Sequence, residues 1–381
     1  MGNNMRRSKR ILYLQTEDWA FLLHRLPMSR AARDAGFEVH VATRIGERLA
    51  DIVAEGFIAH HVGWTRGSRS PLDTLSAVRQ IRGIIRQVQP SILHNVAIKP
   101  TLVGSVASLG ISNLGVVNSI AGLGSAFLAT APHKRAMAWA LGKTMRLLMN
   151  RRHVQTVVQN PDDEAFLLRL GVDAGRIQRI AGSGVDTKFY KPMPEPEATI
   201  TVTFVGRMLE DKGVRALVEA HRLLSQKGIA PRLVLAGTPD PENPTTISEE
   251  QLREWDAREK IEWRGNVSDI RGLWQESHIA ALPSRREGLP KSLLEAAACG
   301  RAMIASDAPG CREIAVNGET ALTHPVDDAC AIADAIARLS GDRTLRATFA
   351  KAARQRVVER FSEEIIGAQT VALYENVMAR R

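Results

Sequence analysis

The sequence predicts a two-domain α/β protein, each half a doubly wound parallel sheet with helices on both faces. Three observations carry that prediction. Short apolar runs alternate with helix-length amphipathic stretches along the whole chain. The alternation stops at residues 191–198, where Pro192, Pro194 and Pro196 crowd a polar stretch, and restarts at Ile200. A chain of 381 residues is also long enough to support two cores.

Taken in order, residues 11–14 read as a buried strand, with 15–18 as the loop behind it. The next helix carries His24-Arg25-Leu26-Pro27 near its start and ends around Gly36. Residues 38–43 and 57–62 follow as strands, 71–89 as a long amphipathic helix, and 91–95 as a strand. Residues 100–132 carry no charge, yet Gly104, Ser105, Ser108, Gly110 and Asn113 interrupt them. A membrane span needs about 20 predominantly apolar residues, so a buried helix (101–109), a strand (116–120) and a glycine loop (122–125) fit better. Strand 154–159, helix 161–170 and strand 177–180 complete the first half.

In the second half a strand over 200–205 ends in Gly206-Arg207, and Asp211-Lys212-Gly213 precedes a helix. Strand 233–237 and a polar excursion over 239–248 come next. Helices over 329–339, 342–361 and 363–381 close the chain. The expected domains are 1–190 and 191–362, followed by a closing helix at 363–381.

The net charge of +10 is unevenly placed. Residues 1–190 hold 25 Lys and Arg against 13 Asp and Glu, and the remainder holds 26 against 28. A basic first half suggests an anionic surface as its partner. Residues 133–152 sharpen this, with Met137, Trp139, Leu141, Met145 and Leu148 among Lys134, Arg135, Lys143, Arg146, Arg151 and Arg152. Such a pattern suits a membrane interface or a core-facing helix with a solvated basic face; its place in the basic half favours the membrane. Aromatic residues make up only 5%, and no nucleic-acid-reading motif occurs, so nucleic acid is not expected. Cys299, Cys311 and Cys330 form no disulfide framework or metal spacing and are expected to pack in the core. No signal peptide pattern opens the sequence, so a reducing cytoplasm is expected.

The chemistry concentrates in Ser284-Arg285-Arg286-Glu287-Gly288-Leu289-Pro290-Lys291-Ser292-Leu293-Leu294-Glu295. Strand-like runs flank it at 278–283 and 301–306, so it is a strand–loop–helix–strand unit with the loop at a strand's carboxyl end. Pro290 is expected at the first helical position, leaving the N–H groups of Lys291, Ser292 and Leu293 to face an anion. Glu295 lies five residues further, about 7.5 Å along the axis, and helical side chains lean back toward the amino end. Glu287 and Glu295 can then address one ligand bearing both diphosphate and hydroxyls. The i, i+4 spacing of Lys291 and Glu295 equally fits a surface ion pair. Arg207 and Lys212 flank another strand-to-helix turn, where cations meet a diphosphate, though both also fit ordinary surface charge.

Glu287 to Glu295 in the setting S-x-x-E-G-L-P-x-S-x-L-E-A-x-A-C-G, extended by Ser306-Asp307, Pro309-Gly310-Cys311-Arg312-Glu313 and Asn317-Gly318, resembles family 4 retaining glycosyltransferases of the GT-B fold. Within that family the resemblance is to a bacterial branch acting on polyprenyl-diphosphate-linked glycans. It implies a UDP-sugar donor, with Glu287, Arg207 and Lys212 in catalysis. Glu295, Gly288, Leu289, Pro290, Lys291, Ser292, Gly206, Val267 and Ile270 would bind the donor. His24, Arg25, Lys99, Gly122 and Gly124 would lie toward the acceptor in the cleft. It also implies a last helix crossing back onto the first domain, and a lipid-linked saccharide acceptor met at the inner face of the plasma membrane. No D-x-D occurs, so no metal and no cofactor beyond the nucleotide sugar is expected. One departure stands out: many relatives carry Gly-Gly after the first strand, where this chain has Gln15-Thr16-Glu17-Asp18-Trp19. The competing readings are a UDP-sugar 2-epimerase of the same fold and a non-catalytic basic protein binding membrane or nucleic acid.

Overall fold

Strands whose residues are mostly buried, such as the runs 92–96, 115–120, 154–158, 279–282 and 302–306, set the architecture. The computed structural model describes residues 9–64, 70–120, 132–259 and 261–380. The chain divides into two units, one of residues 1–183 with 364–381 and one of residues 184–363.

Unit 1 runs β1 (Lys9–Glu17), α1 (Asp18–Asp34), β2 (Phe37–Arg44), α2 (Leu49–Ala54), β3 (Ile58–His61), α3 (Pro71–Val88), β4 (Ile92–Val96) and α4 (Ile98–Ala107). It continues with β5 (Gly115–Ile120), α5 (Pro132–Met149), β6 (Val154–Val158), α6 (Pro161–Arg169) and β7 (Ile177–Arg179). Its sheet has the order β3-β2-β1-β4-β5-β6-β7, every pairing parallel. Strand alternation splits the core in two. Ile11 and Tyr13 face a cluster with Phe21, Met28 and Tyr374, whereas Leu12 and Leu14 face one with Ile81, Ile85 and Val103.

Unit 2 runs β8 (Thr201–Val205), α7 (Val214–Gln226), β9 (Arg232–Ala236), α8 (Glu249–Glu259), β10 (Ile261–Trp263), α9 (Ile270–Gln275) and β11 (Ile279–Leu282). Then come α10 (Lys291–Ala298), β12 (Ala302–Ser306), β13 (Ala321–His324), α11 (Ala329–Gly341) and α12 (Arg343–Arg360). Its sheet, also parallel, has the order β10-β9-β8-β11-β12-β13. Both sheets reverse their winding beside the first strand, at β1/β4 and at β8/β11, which makes a crevice at the carboxyl ends of those strands.

The last helix, α13 (Glu363–Ala379), packs in unit 1. Its Gly367 leaves room for Ala31 of α1, and Tyr374 reaches the sheet, 2.9 Å from the Tyr13 hydroxyl and 2.6 Å from His94 Nδ1.

Several sequence expectations need correction. β1 extends through Glu17 and passes directly into α1, so 15–18 form no loop and His24 to Pro27 lie mid-helix. Asp18 causes this: its carboxylate accepts from the N–H groups of Trp19, Gly46 and Arg48, pinning the helix start to the segment after β2. Pro290 is the N-cap of α10, with extended backbone (ψ 115°), and the helix begins one residue later at Lys291. The Pro-rich stretch, expected as a linker, is held along its length by residues of unit 2. Arg346 pairs with Glu195, Arg301 donates to the Pro194 carbonyl, and Met193 N–H donates to the Cys299 carbonyl. Cys330 is exposed at the start of α11, whereas Cys299 and Cys311 are buried. The short helix α2, the helix α8 and the strand β13 carried too little periodicity to be read from sequence.

Candidate active site

Two strand-to-helix turns of unit 2 are locked together by backbone contacts. After β8 the chain passes Gly206 and Arg207, makes a 3-10 turn at Glu210–Lys212, and enters α7 through Gly213. Gly213 has φ +73°, and a Cβ there would lie 2.0 Å from the Pro283 carbonyl oxygen, so only glycine lets the two turns touch. The contact continues outward. The Asp211 carbonyl accepts from Arg285 N–H at 2.9 Å and from the Ser284 hydroxyl at 3.2 Å. On the other side Glu287 N–H donates to the Pro309 carbonyl at 3.0 Å. A Cβ on Gly310 (φ +79°) would sit 2.5 Å from the Glu287 carbonyl oxygen.

This frame brings charge together. Lys212 Nζ lies 2.5 Å from Glu287 Oε1, with the two side chains 22% and 11% exposed. Arg207 reaches the excursion after β9, where its guanidinium pairs with Asp240. Asp240 is held in turn by its own N–H donating to the Thr246 hydroxyl at 2.9 Å.

The helix α10 starts with Pro290 as its N-cap, and no side chain caps it. Its amino end is therefore positive and suited to an anion. One turn in, Lys291 Nζ lies 3.9 Å from Glu295 Oε1. This is not a surface pair, because Glu295 is only 6% exposed. Burial raises its pKa to about 7, while the Lys291 charge and the 3.3 Å hydrogen bond from the Tyr190 hydroxyl pull the other way. Burial thus favours the protonated form of this carboxyl, and a ligand that donates hydrogen bonds to it favours the charged form.

The remaining expected donor residues are spread along the same edge. Gly288, Leu289 and Ser292 are half-buried and Pro290 is buried. Gly206 follows β8, with its N–H donating to the Ala236 carbonyl at 2.9 Å. Val267 packs on the cluster of Val234, Ala236 and Leu273, and Ile270 opens α9, whose N-cap Asp269 accepts from Gly272 N–H. Asp240 and Tyr190 were missed from sequence. Asp240 lay in a stretch that read only as polar, and Tyr190 meets Glu295 across 105 residues of chain, which no local pattern signals.

In unit 1 the expected residues part company. His24 is exposed on α1 while its neighbour Arg25 is buried. Lys99 stands in the first turn of α4, half-buried, its pKa lowered by burial against the opposing pull of Asp73 and Glu17. Gly122 and Gly124 lie outside the described residues. The helix α5 carries no acid, and its Met137, Trp139 and Leu147 are exposed at 61, 68 and 74%. Lys143 Nζ sits 5.6 Å from the centroid of the Trp139 ring. Among the described residues no group of His, Cys, Asp and Glu is placed to hold a metal ion, and no helix is long and apolar enough to cross a membrane.

Two parallel-sheet units, one presenting paired lysine, arginine and glutamate at its strand-to-helix turns, have the architecture of GT-B enzymes. Comparison with known proteins supplies the class. A family model described as "Glycosyl transferases group 1" matches residues 199–342, and one described as "Glycosyl transferase 4-like" matches residues 10–158. The chain belongs to these glycosyltransferases. A curated relative from Campylobacter jejuni, N,N'-diacetylbacillosaminyl-diphospho-undecaprenol alpha-1,3-N-acetylgalactosaminyltransferase, is 27% identical, over 93% of this chain and 95% of its own. Among solved structures, sucrose-phosphate synthase from Thermosynechococcus elongatus superposes with a TM-score of 0.81 at 20% identity, covering 98% of this chain and 100% of the other. Anabaena Alr3699/HepE in complex with UDP-glucose gives 0.77 at 18% identity, covering 96% and 99%. At those identities the structural likeness shows the fold.

Proposed function

We propose that the protein is a retaining glycosyltransferase. It moves a hexose or N-acetylhexosamine from a UDP-sugar to a polyprenyl-diphosphate-linked saccharide in cell-envelope or surface-glycan synthesis. The observation that carries this reading is the Lys212–Glu287 pair, held beside the uncapped amino end of α10. Support for the ligands comes from the undecaprenol-diphosphate named for the C. jejuni relative and the UDP-glucose held by the Anabaena protein.

In this reading the donor diphosphate draws Lys212 away from Glu287 and Arg207 away from Asp240, and rests against the amino end of α10. Charge-assisted hydrogen bonds to phosphate are strong enough to make that exchange. Glu295 accepts the two ribose hydroxyls. Glu287, released from Lys212, holds a sugar hydroxyl and favours the positive charge that develops at the anomeric carbon. The acceptor oxygen bonds to that carbon as its bond to the β-phosphate oxygen breaks, on the same face. The acceptor's proton passes to the departing phosphate. No carboxylic acid has to protonate the leaving group, unlike in glycosidases, and Arg207, Lys212 and the helix end supply the neutralising charge that a metal would otherwise bring.

Unit 1 is assigned to the acceptor and to the membrane bearing it. Its basic balance and the exposed Trp139, Leu147 and Lys143 of α5 suit an anionic inner leaflet. The enzyme would then work in the cytoplasm, at the inner face of the plasma membrane. The test is product analysis with UDP-GlcNAc and UDP-GalNAc, with and without a polyprenyl-diphosphate-linked saccharide. Acceptor-dependent formation of an α-linked product is expected. Release of a 2-epimer from UDP-GlcNAc alone would replace this reading with the epimerase.

A further inference from the structure

Arg25 projects from α1 into the interior of unit 1, where the residue is only 4% exposed. Among the described residues no carboxylate meets it. Nη1 approaches the Met28 sulfur at 3.5 Å, and Nε has no partner. The charged groups around it bring no compensation. The hydroxyls of Tyr13 and Tyr374 are spent on each other and on His94, and burial raises both tyrosines, keeping them neutral. His94 is neutral too, held well below the ordinary histidine range by burial and then by the Arg25 charge, with its two nitrogens engaged by Tyr374 and Ser119. A buried guanidinium with no counter-charge is an expensive arrangement, since ions withdrawn from water are retained where a partner offsets the lost hydration.

The missing partner has a place to sit. A pocket of about 10 Å³ lies beside the guanidinium, lined by Arg25, His94, Ser119, Gln159, Gly182 and Thr370 among others. That is room for one water-sized group. Gln159 follows β6 and Gly182 follows β7 by a few residues, so the pocket lies toward the carboxyl edge of the sheet, where open α/β sheets take their ligands.

We propose that this pocket is an anion site of unit 1, in which the Arg25 guanidinium takes one phosphoryl oxygen or one halide ion as its counter-charge. The volume limits what enters to a single atom of that size. A free halide fits whole, whereas a phosphoryl ligand inserts one oxygen and leaves its remainder outside. The site is independent of the donor residues of unit 2.

The experiment compares wild type, Arg25→Lys and Arg25→Met by thermal unfolding in sodium bromide, in sodium gluconate of equal ionic strength, and with farnesyl diphosphate. UDP is added separately to confirm that unit 2 is folded in each variant. Bromide or farnesyl diphosphate is expected to raise the Tm of wild type by a few degrees and that of Arg25→Met not at all, with the UDP response equal in all three. A response to bromide alone identifies the anion as a free halide, and a response to farnesyl diphosphate alone identifies it as a phosphoryl head group. Wild type indifferent to both, or Arg25→Met responding like wild type, overturns the site. Should Arg25→Met fail to fold, anomalous diffraction from bromide-soaked or farnesyl-diphosphate-soaked wild-type crystals decides, since a plain water beside Arg25 in both has the same overturning force.

Discussion

The two units share one architecture, and both pair surface cations with acids, Arg30 with Glu55 and Arg44 with Glu17 in unit 1 among them, but each sets a few cations apart in a different way. In unit 2 each of Arg207, Lys212 and Lys291 faces an acid at the strand-to-helix edge, Asp240, Glu287 and Glu295 respectively. In unit 1 Arg25 is buried without an acid, and the basic helix α5 shows water a face holding Trp139 and Leu147. Paired cations can be exchanged for a ligand's phosphates, because the charge they meet is of the same sign before and after binding, and the acid each one leaves must then find a new partner. Unpaired ones make a standing demand for an anion. The first arrangement suits a ligand that must come and go each turnover, and the second a surface or anion that stays.

The largest effect on that contrast is expected from Glu287→Gln. It leaves the frame of Gly213 and Gly310 in place and removes the charge, so turnover should fall on the order of 10²–10³-fold while the Tm hardly moves. Wild-type kinetics in this variant would mean that the Lys212–Glu287 pair is only structural.

Glu295 gives a second, smaller effect with a defined sign. Its folded pKa stands at about 7 against an ordinary 4.5. Between those values the native state holds a proton that the unfolded chain has lost, so stability of the unliganded protein should fall as pH rises through that window. Donor binding should move the other way. Only the carboxylate accepts both ribose hydroxyls, so UDP affinity should rise about tenfold from about pH 6 to about pH 8, following the ionised fraction. Calorimetry at the two pH values checks this. Glu295→Gln should flatten both trends, and a pH dependence that survives in it would assign the effect to another group.

The smallest effect belongs to unit 1. Lys143→Ala should weaken binding to anionic vesicles about fivefold, from the ~1 kcal/mol that one basic residue contributes near such a surface. UDP affinity should stay unchanged. Equal binding of wild type to neutral and anionic vesicles would remove the membrane role from α5.

Much of this was legible in the sequence, and the legible part is local. The strand–loop–helix run from Ser284 to Glu295 announced its turn, its helix and its apolar face, because helix starts and buried strands are written in neighbouring residues. Gly206-Arg207 and Asp211-Lys212-Gly213 marked the partner turn in the same way. The start of α1 was misjudged, since Asp18 is recruited by N–H groups 28 and 30 residues away. α8 could not be read because its buried apolar anchors, Leu252 and Trp255, are too few to show a period.

Composition and short-range spacing were enough to establish that two alternating α/β patterns exist, which residues carry charge at their turns, and which half is basic. Which of those charges meet was left to the folded chain. Lys212 finds Glu287 across 75 residues and Tyr190 finds Glu295 across 105, because parallel strands bring distant turns to one edge. The fold likewise buried Arg25, one position from the exposed His24. A helix turns about 100° per residue, and which side faces the sheet is settled by packing.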